Sequence, residues 1–164
     1  MNKISKLIFC MIGLLAFATS CESDMDNNPH FKIPTNFVLN TPKYNSGLYD
    51  LQNTESVQLT CSQPDYGYAA AADYTIQVSL DNVWEGEGFD ATLQTLPTKH
   101  NVCAMDVNAR EMNLVLCQLL GVEAPEEMPT EAFPVYVRLK ANLPYVEGSE
   151  IYSNSIKLEN VLAY

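Results

Sequence analysis

The residue of this 164-residue chain best placed to do chemistry is Cys21. Ahead of it run Lys3 and Lys6, the apolar stretch 7–17 (LIFCMIGLLAF) and the small residues Ala18, Thr19 and Ser20. That is the basic, apolar and small-residue order of an export signal. The apolar stretch is too short to span a bilayer as a helix, so cleavage is expected, with Cys21 at the cleavage site. Other groups able to hold or activate a ligand are few. The two histidines are His30 and His100. His100 with Cys103 offers two metal ligands where a structural zinc site needs four. Asp24, Asp26 and Asn28 begin like a calcium loop, but Pro29 stands at the required glycine and Thr35 at the bidentate glutamate. No Gly-x-Ser-x-Gly elbow or phosphate-cradling glycine loop occurs. The acid pairs Glu85/Glu87 and Glu126/Glu127 fall in loops, and nothing distinguishes them from solvated charge, whereas glycoside hydrolysis needs two carboxylates facing a cleft. The chain does not read as an enzyme, and no metal or cofactor is expected.

What remains is recognition by aromatic side chains, which stack on the apolar faces of sugar rings and add contact area at low entropy cost. Trp84 is the single tryptophan, set in the polar, glycine-rich stretch 82–89. Tyr66 and Tyr68 flank Gly67 in another loop. Trp84, Tyr66 and Tyr68 are the candidate glycan-binding residues. The competing reading folds Trp84 over the sandwich edge as a plug and makes the two tyrosines part of the fold. The outward stripe Tyr136, Arg138 and Lys140 reads as a solvated strand face.

Strands must position these side chains. Val57, Leu59 and Cys61 alternate with Gln58, Thr60 and Ser62; Tyr74, Ile76, Val78 and Leu80 alternate with Thr75, Gln77 and Ser79. Val135, Val137, Leu139 and Ala141 alternate with Tyr136, Arg138 and Lys140. Period-two runs of this kind predict strands with one face in the core and one in water. Further strands are expected at 36–40, 91–96, 101–106 and 153–162, with glycine- and proline-bearing connectors between them. One segment has helical spacing instead: Met112, Val115, Leu116, Leu119 and Leu120 line a single face. Asn108 is its expected N-cap, Glu111 the far half of a capping box and Gly121 the left-handed C-terminal residue. About seven strands with this one inserted helix predict a β-sandwich of immunoglobulin or fibronectin type, the helix crossing one open end.

Nine Lys+Arg stand against twenty Asp+Glu, a net charge of −11 that becomes −13 when residues 1–20 take Lys3 and Lys6 with them. Such a chain is not held by nucleic acid phosphates or drawn to anionic lipid headgroups. The expected organisation is a signal over 1–20, Cys21 and a flexible acidic tether to residue 33, then one domain over 34–164 with room for a core. Beyond Cys10 and Cys21 lie Cys61, Cys103 and Cys117. They read either as one disulfide plus a free thiol or as three small buried apolar residues.

Two resemblances add to this reading. The segment LLAFATSC, with Ala18 where many such signals carry leucine, resembles a lipoprotein signal peptide. That implies a diacylglycerol on the Cys21 thiol and an acyl chain on its freed amine, an anchor far firmer than a single chain. The words PTNFVLNTP (34–42), LTCSQPDYGY (59–68), YTIQVSL (74–80), VYVRLKA (135–141) and SNSIKL (153–158), in that order after CESDMDNNP, resemble the N-terminal domain of SusE-like outer-membrane lipoproteins of Bacteroidetes. The resemblance implies an immunoglobulin-like domain on the outer membrane, serving capture of starch or another polysaccharide beside a TonB-dependent transporter. The acidic run Glu22-Ser23-Asp24-Met25-Asp26 is similar to that phylum's surface-export signals. In such proteins carbohydrate-binding domains follow. Here the sequence stops at Tyr164, so the expectation is a role in that system with little glycan binding carried over from the family. A scaffold that docks on transporter components is the alternative.

Overall fold

Alternation of apolar and polar residues becomes two packed sheets. The computed structural model describes residues 30–85 and 92–164; the signal, Cys21, the tether through Pro29 and the 86–91 part of the Trp84 loop lie outside the described residues. The strands are β1 (Leu39–Asn40), β2 (Leu48–Asp50), β3 (Ser56–Cys61), β4 (Asp73–Ser79), β5 (Leu93–His100), β6 (Ala104–Asn108), β7 (Phe133–Asn142), β8 (Ile151–Tyr152) and β9 (Ile156–Leu162). One sheet has the order β1-β3-β6. The other runs β2-β9-β7-β4-β5, with β8 added on β7. Consecutive strands cross between sheets after β1, β2, β3, β5 and β6, giving an immunoglobulin- or fibronectin-like sandwich. Two very short strands, β2 and β8, account for the excess over seven. Neither is long enough to show a period.

The inward faces behave as the pattern demands. Val57 and Leu59 of β3 and Val135, Val137, Leu139 and Ala141 of β7 are buried, as are Tyr74, Ile76 and Val78 of β4. Central strand β4 departs from simple alternation, because Thr75, Gln77 and Ser79 on its outer face are also buried. The compact unit begins at Phe31. Phe31 stacks on Tyr66 at 6.2 Å, and the Lys32 N–H donates to the Tyr66 carbonyl at 3.0 Å. The last residues of the stretch read as tether therefore lie against the sandwich.

The helix α1 (Ala109–Leu120) stands where its spacing places it. Asn108 is extended and its Oδ1 accepts from the Glu111 N–H at 3.0 Å. At the far end Gly121 is left-handed (φ 66°); its N–H bonds Gln118 O and the Val122 N–H bonds Cys117 O, the paired bonds of a Schellman ending. The reciprocal half of the capping box is not the contact Glu111 makes. Its Oε1 accepts from the Thr98 hydroxyl at 2.7 Å, so this carboxylate ties the helix to β5. Met112, Val115 and Leu116 are buried, while Leu119 and Leu120 are only partly so. The helix packs on β5 and also touches β6, β4 and β3. It thus closes the sandwich between β5 and β6, the edge strands of the two sheets.

Candidate functional site

A short chain of polar contacts sets Trp84 in place. At the end of β4 the Ser79 hydroxyl donates to Asp81 Oδ1 at 2.8 Å, and the same oxygen accepts the Val83 N–H at 3.0 Å. The Ser79 bond first, then the Val83 N–H, hold the Asp81 carboxyl below its ordinary range. Asn82 takes the left-handed conformation (φ 61°), which asparagine tolerates better than most residues. Its Oδ1 accepts from Trp84 Nε1 at 3.0 Å. The Thr92 hydroxyl lies 3.2 Å from Val83 O and 3.0 Å from Glu85 O, fastening the other side of the turn.

This turn lays the indole over the outer face of the six-stranded sheet. The Arg138 guanidinium of β7 sits 4.6 Å from the Trp84 ring centroid and 4.3 Å from that of Tyr152 on β8. Arg138 Nε donates to Gln77 Oε1 at 2.8 Å, and Gln77 Nε2 lies 3.4 Å from the Thr95 hydroxyl. Cross-strand register explains the row: Gln77 faces Arg138 on one side and Thr95 on the other. Burial pulls the guanidinium below its ordinary pKa, yet an arginine stays charged at any physiological pH. A planar cation between two aromatic faces is favourable because each ring carries a negative quadrupole face. Around the stack lie Tyr136, Thr75 and the ion pair Lys140–Glu150 (3.1 Å). The surface is polar, aromatic and suited to non-covalent contact. Among the described residues no cluster of three metal-ligating side chains occurs.

The sequence-derived candidates divide. Trp84 is half-buried and belongs to this face, joined to the Tyr136–Arg138–Lys140 stripe read as merely solvated. Tyr66 does not belong to it. The ring is buried, its hydroxyl donates to Ser149 O at 3.0 Å, and burial raises its pKa. Tyr66 is a core residue with no face to offer a sugar, and its place in the 59–68 word is explained by packing. Tyr68 is exposed and apart from the stack. Cys21 falls outside the described residues. Tyr152 and Gln77 were missed, since nothing local marks them; Arg138 was visible only as an outward position. Between β1 and β3 of the smaller sheet and β2 of the larger one, an open groove lined by Asn40, Tyr44, Tyr49, Gln58 and Thr60 forms a second polar-aromatic surface, where Lys43 lies 5.4 Å from the Tyr44 ring centroid.

Comparison with known proteins bears on the place of this domain. A family model described as SusE outer membrane protein matches residues 23–140. The chain belongs to the SusE outer membrane protein family. The match spans most of the sequence and includes Trp84 and Arg138, while Tyr152 lies beyond it. No solved structure matches the chain. Family membership makes this SusE-family domain an outer-membrane protein of a Sus-type system.

Proposed function

We propose that this SusE-family chain is a non-catalytic, lipid-anchored surface protein of a polysaccharide uptake system, and that the sheet face around Trp84, Arg138 and Tyr152 contacts a starch-type or related glycan. The observation that carries the reading is the stack itself. Two aromatic rings lie against one cation, with amide, hydroxyl and ammonium groups alongside, on a sheet face rather than in the core. Rigid aromatics bind with little loss of side-chain entropy, and the polar neighbours match sugar hydroxyls. An acyl anchor on Cys21 would confine the domain to the membrane plane and raise its effective concentration near a TonB-dependent transporter.

The second reading is a scaffold docking on transporter components without holding glycan. It is favoured by one contact: Arg138 occupies a face of Trp84 that a sugar would otherwise use. The single tryptophan makes the two distinguishable. Titration of residues 22–164 with soluble starch, levan, xylan or mannan should produce a saturable change in tryptophan emission that a Tyr152→Ala variant weakens. Unchanged emission with every polymer would favour the scaffold.

A further inference from the structure

We propose that Cys61 and Cys103 form a disulfide that braces β3 against β6 once the chain has left the cytosol. The ladder between these strands pairs Ser56 with Asn108 and proceeds in unbroken register to Thr60 with Ala104. The next step sets Cys61 opposite Cys103, and the Cys61 N–H donates to Cys103 O at 2.9 Å. Directly opposed residues of an antiparallel pair have Cα atoms about 4.5–5.5 Å apart, inside the range of about 4.4–6.8 Å that a disulfide spans. Opposed side chains also share a face. Here it is the inner one: Cys61 is buried, and Cys103 is half-buried against the core. The Tyr74 hydroxyl lies 3.4 Å from Cys103 Sγ, an oriented contact that a disulfide sulfur still accepts.

The third cysteine is placed elsewhere. Cys117 is on α1, with its sulfur 3.7 Å from Met128 Sδ. Geometry thus chooses the pair that sequence spacing leaves open. All three cysteines are free thiols in this structure. An outer-membrane protein works outside the reducing cytosol, where such bonds persist.

The oxidant is an external disulfide, protein or small molecule. The Cys103 thiolate, on the more exposed residue, attacks one sulfur and releases a first thiolate. Cys61, deprotonated, then attacks Cys103 Sγ in the mixed disulfide and releases the second. Two protein thiols are oxidised, one external disulfide is reduced to two thiols, and two protons are lost from the protein. Burial first, and then the neighbouring Cys103 sulfur, push the Cys61 thiol up to about 12. The second step is therefore faster before the sandwich has fully closed, during folding after export. The finished bond would enclose β4, the Trp84 loop and β5 in one covalent ring.

The test uses the full chain taken from the outer membrane, denatured and alkylated without reduction, then digested and mapped by mass spectrometry. The expected map has a linked peptide pair carrying Cys61 and Cys103, with Cys117 alkylated. Alkylation at both Cys61 and Cys103, or a link from either to Cys117, overturns the proposal. Reduction should lower the thermal midpoint by about 10 °C. An unmoved midpoint overturns the bracing role. Neither measurement depends on a variant that could fail to fold.

Discussion

Arg138 shows what a single side chain does on this sheet. It is held by one hydrogen bond to Gln77 and by the faces of two aromatic rings. Arg138→Met keeps the aliphatic length and removes the cation and the donor. We expect a loss of about 2 kcal/mol, combining two cation–π contacts with a charge-assisted hydrogen bond, read from urea unfolding; a loss near zero would mean the stack is incidental. Three aspartates at a strand end and in turns, Asp50, Asp65 and Asp81, carry a pH signature. Asp50 is held low first by Asn53, Asp65 first by Lys32 and Asp81 first by Ser79. A carboxyl whose folded pKa is depressed contributes stability above its unfolded value and loses it as pH falls through the folded one. Their contribution should thus be complete above about pH 4 and fade below it. Asp81→Asn should flatten the acid side of a plot of unfolding midpoint against pH, and an unchanged slope would contradict that. Little of this was legible beforehand. Trp84 and Arg138 meet only because β4 and β7 pair, which no local window shows. Tyr66 looked like a loop aromatic because its burial comes from Phe31 and the Ser149 carbonyl, both distant in sequence.

Among the elements, α1 was the most legible, because its signals are all local. Its apolar face, its Asn108 cap and Gly121 lie within one short stretch, and the structure has them in those roles. Only the partner of Glu111 was misread. Thr98 of β5 outcompetes the helix's own N-terminus for that carboxylate, a tertiary contact overriding a local motif. Leu116 is fully buried where the helix closes the gap between the sheets. Leu116→Ala should therefore cost about 2–5 kcal/mol, the transfer loss plus the cavity left behind. Denaturant unfolding checks this, and a change under about 1 kcal/mol would mean the helix is not part of the core. The strands were legible where they are long. Among them β5 and β6 lie later than their patterns suggest. In β5, Pro97 and an irregular register against Thr75 and Gln77 of β4 disturb the alternation.

For the whole molecule, the β-sandwich and its place in the SusE family agree with the reading from residues, while the means of attachment and the ligand belong to the proposal. Cys21→Ser removes the thiol that lipidation requires. The variant should move from the detergent phase to the aqueous phase in a detergent partition experiment, and continued partition into detergent would refute the anchor. The net charge of −11 leaves an acidic surface on which the Trp84 face, with Arg138 and Lys140 beside it, stands out. The central claim is that this face holds polysaccharide. Its most direct test is affinity electrophoresis of residues 22–164 through gels containing starch, levan, xylan or mannan, beside Trp84→Ala and Tyr44→Ala. The account predicts retardation in at least one gel, lost with Trp84→Ala and kept with Tyr44→Ala. Retardation that survives Trp84→Ala, or none in any gel, would contradict it.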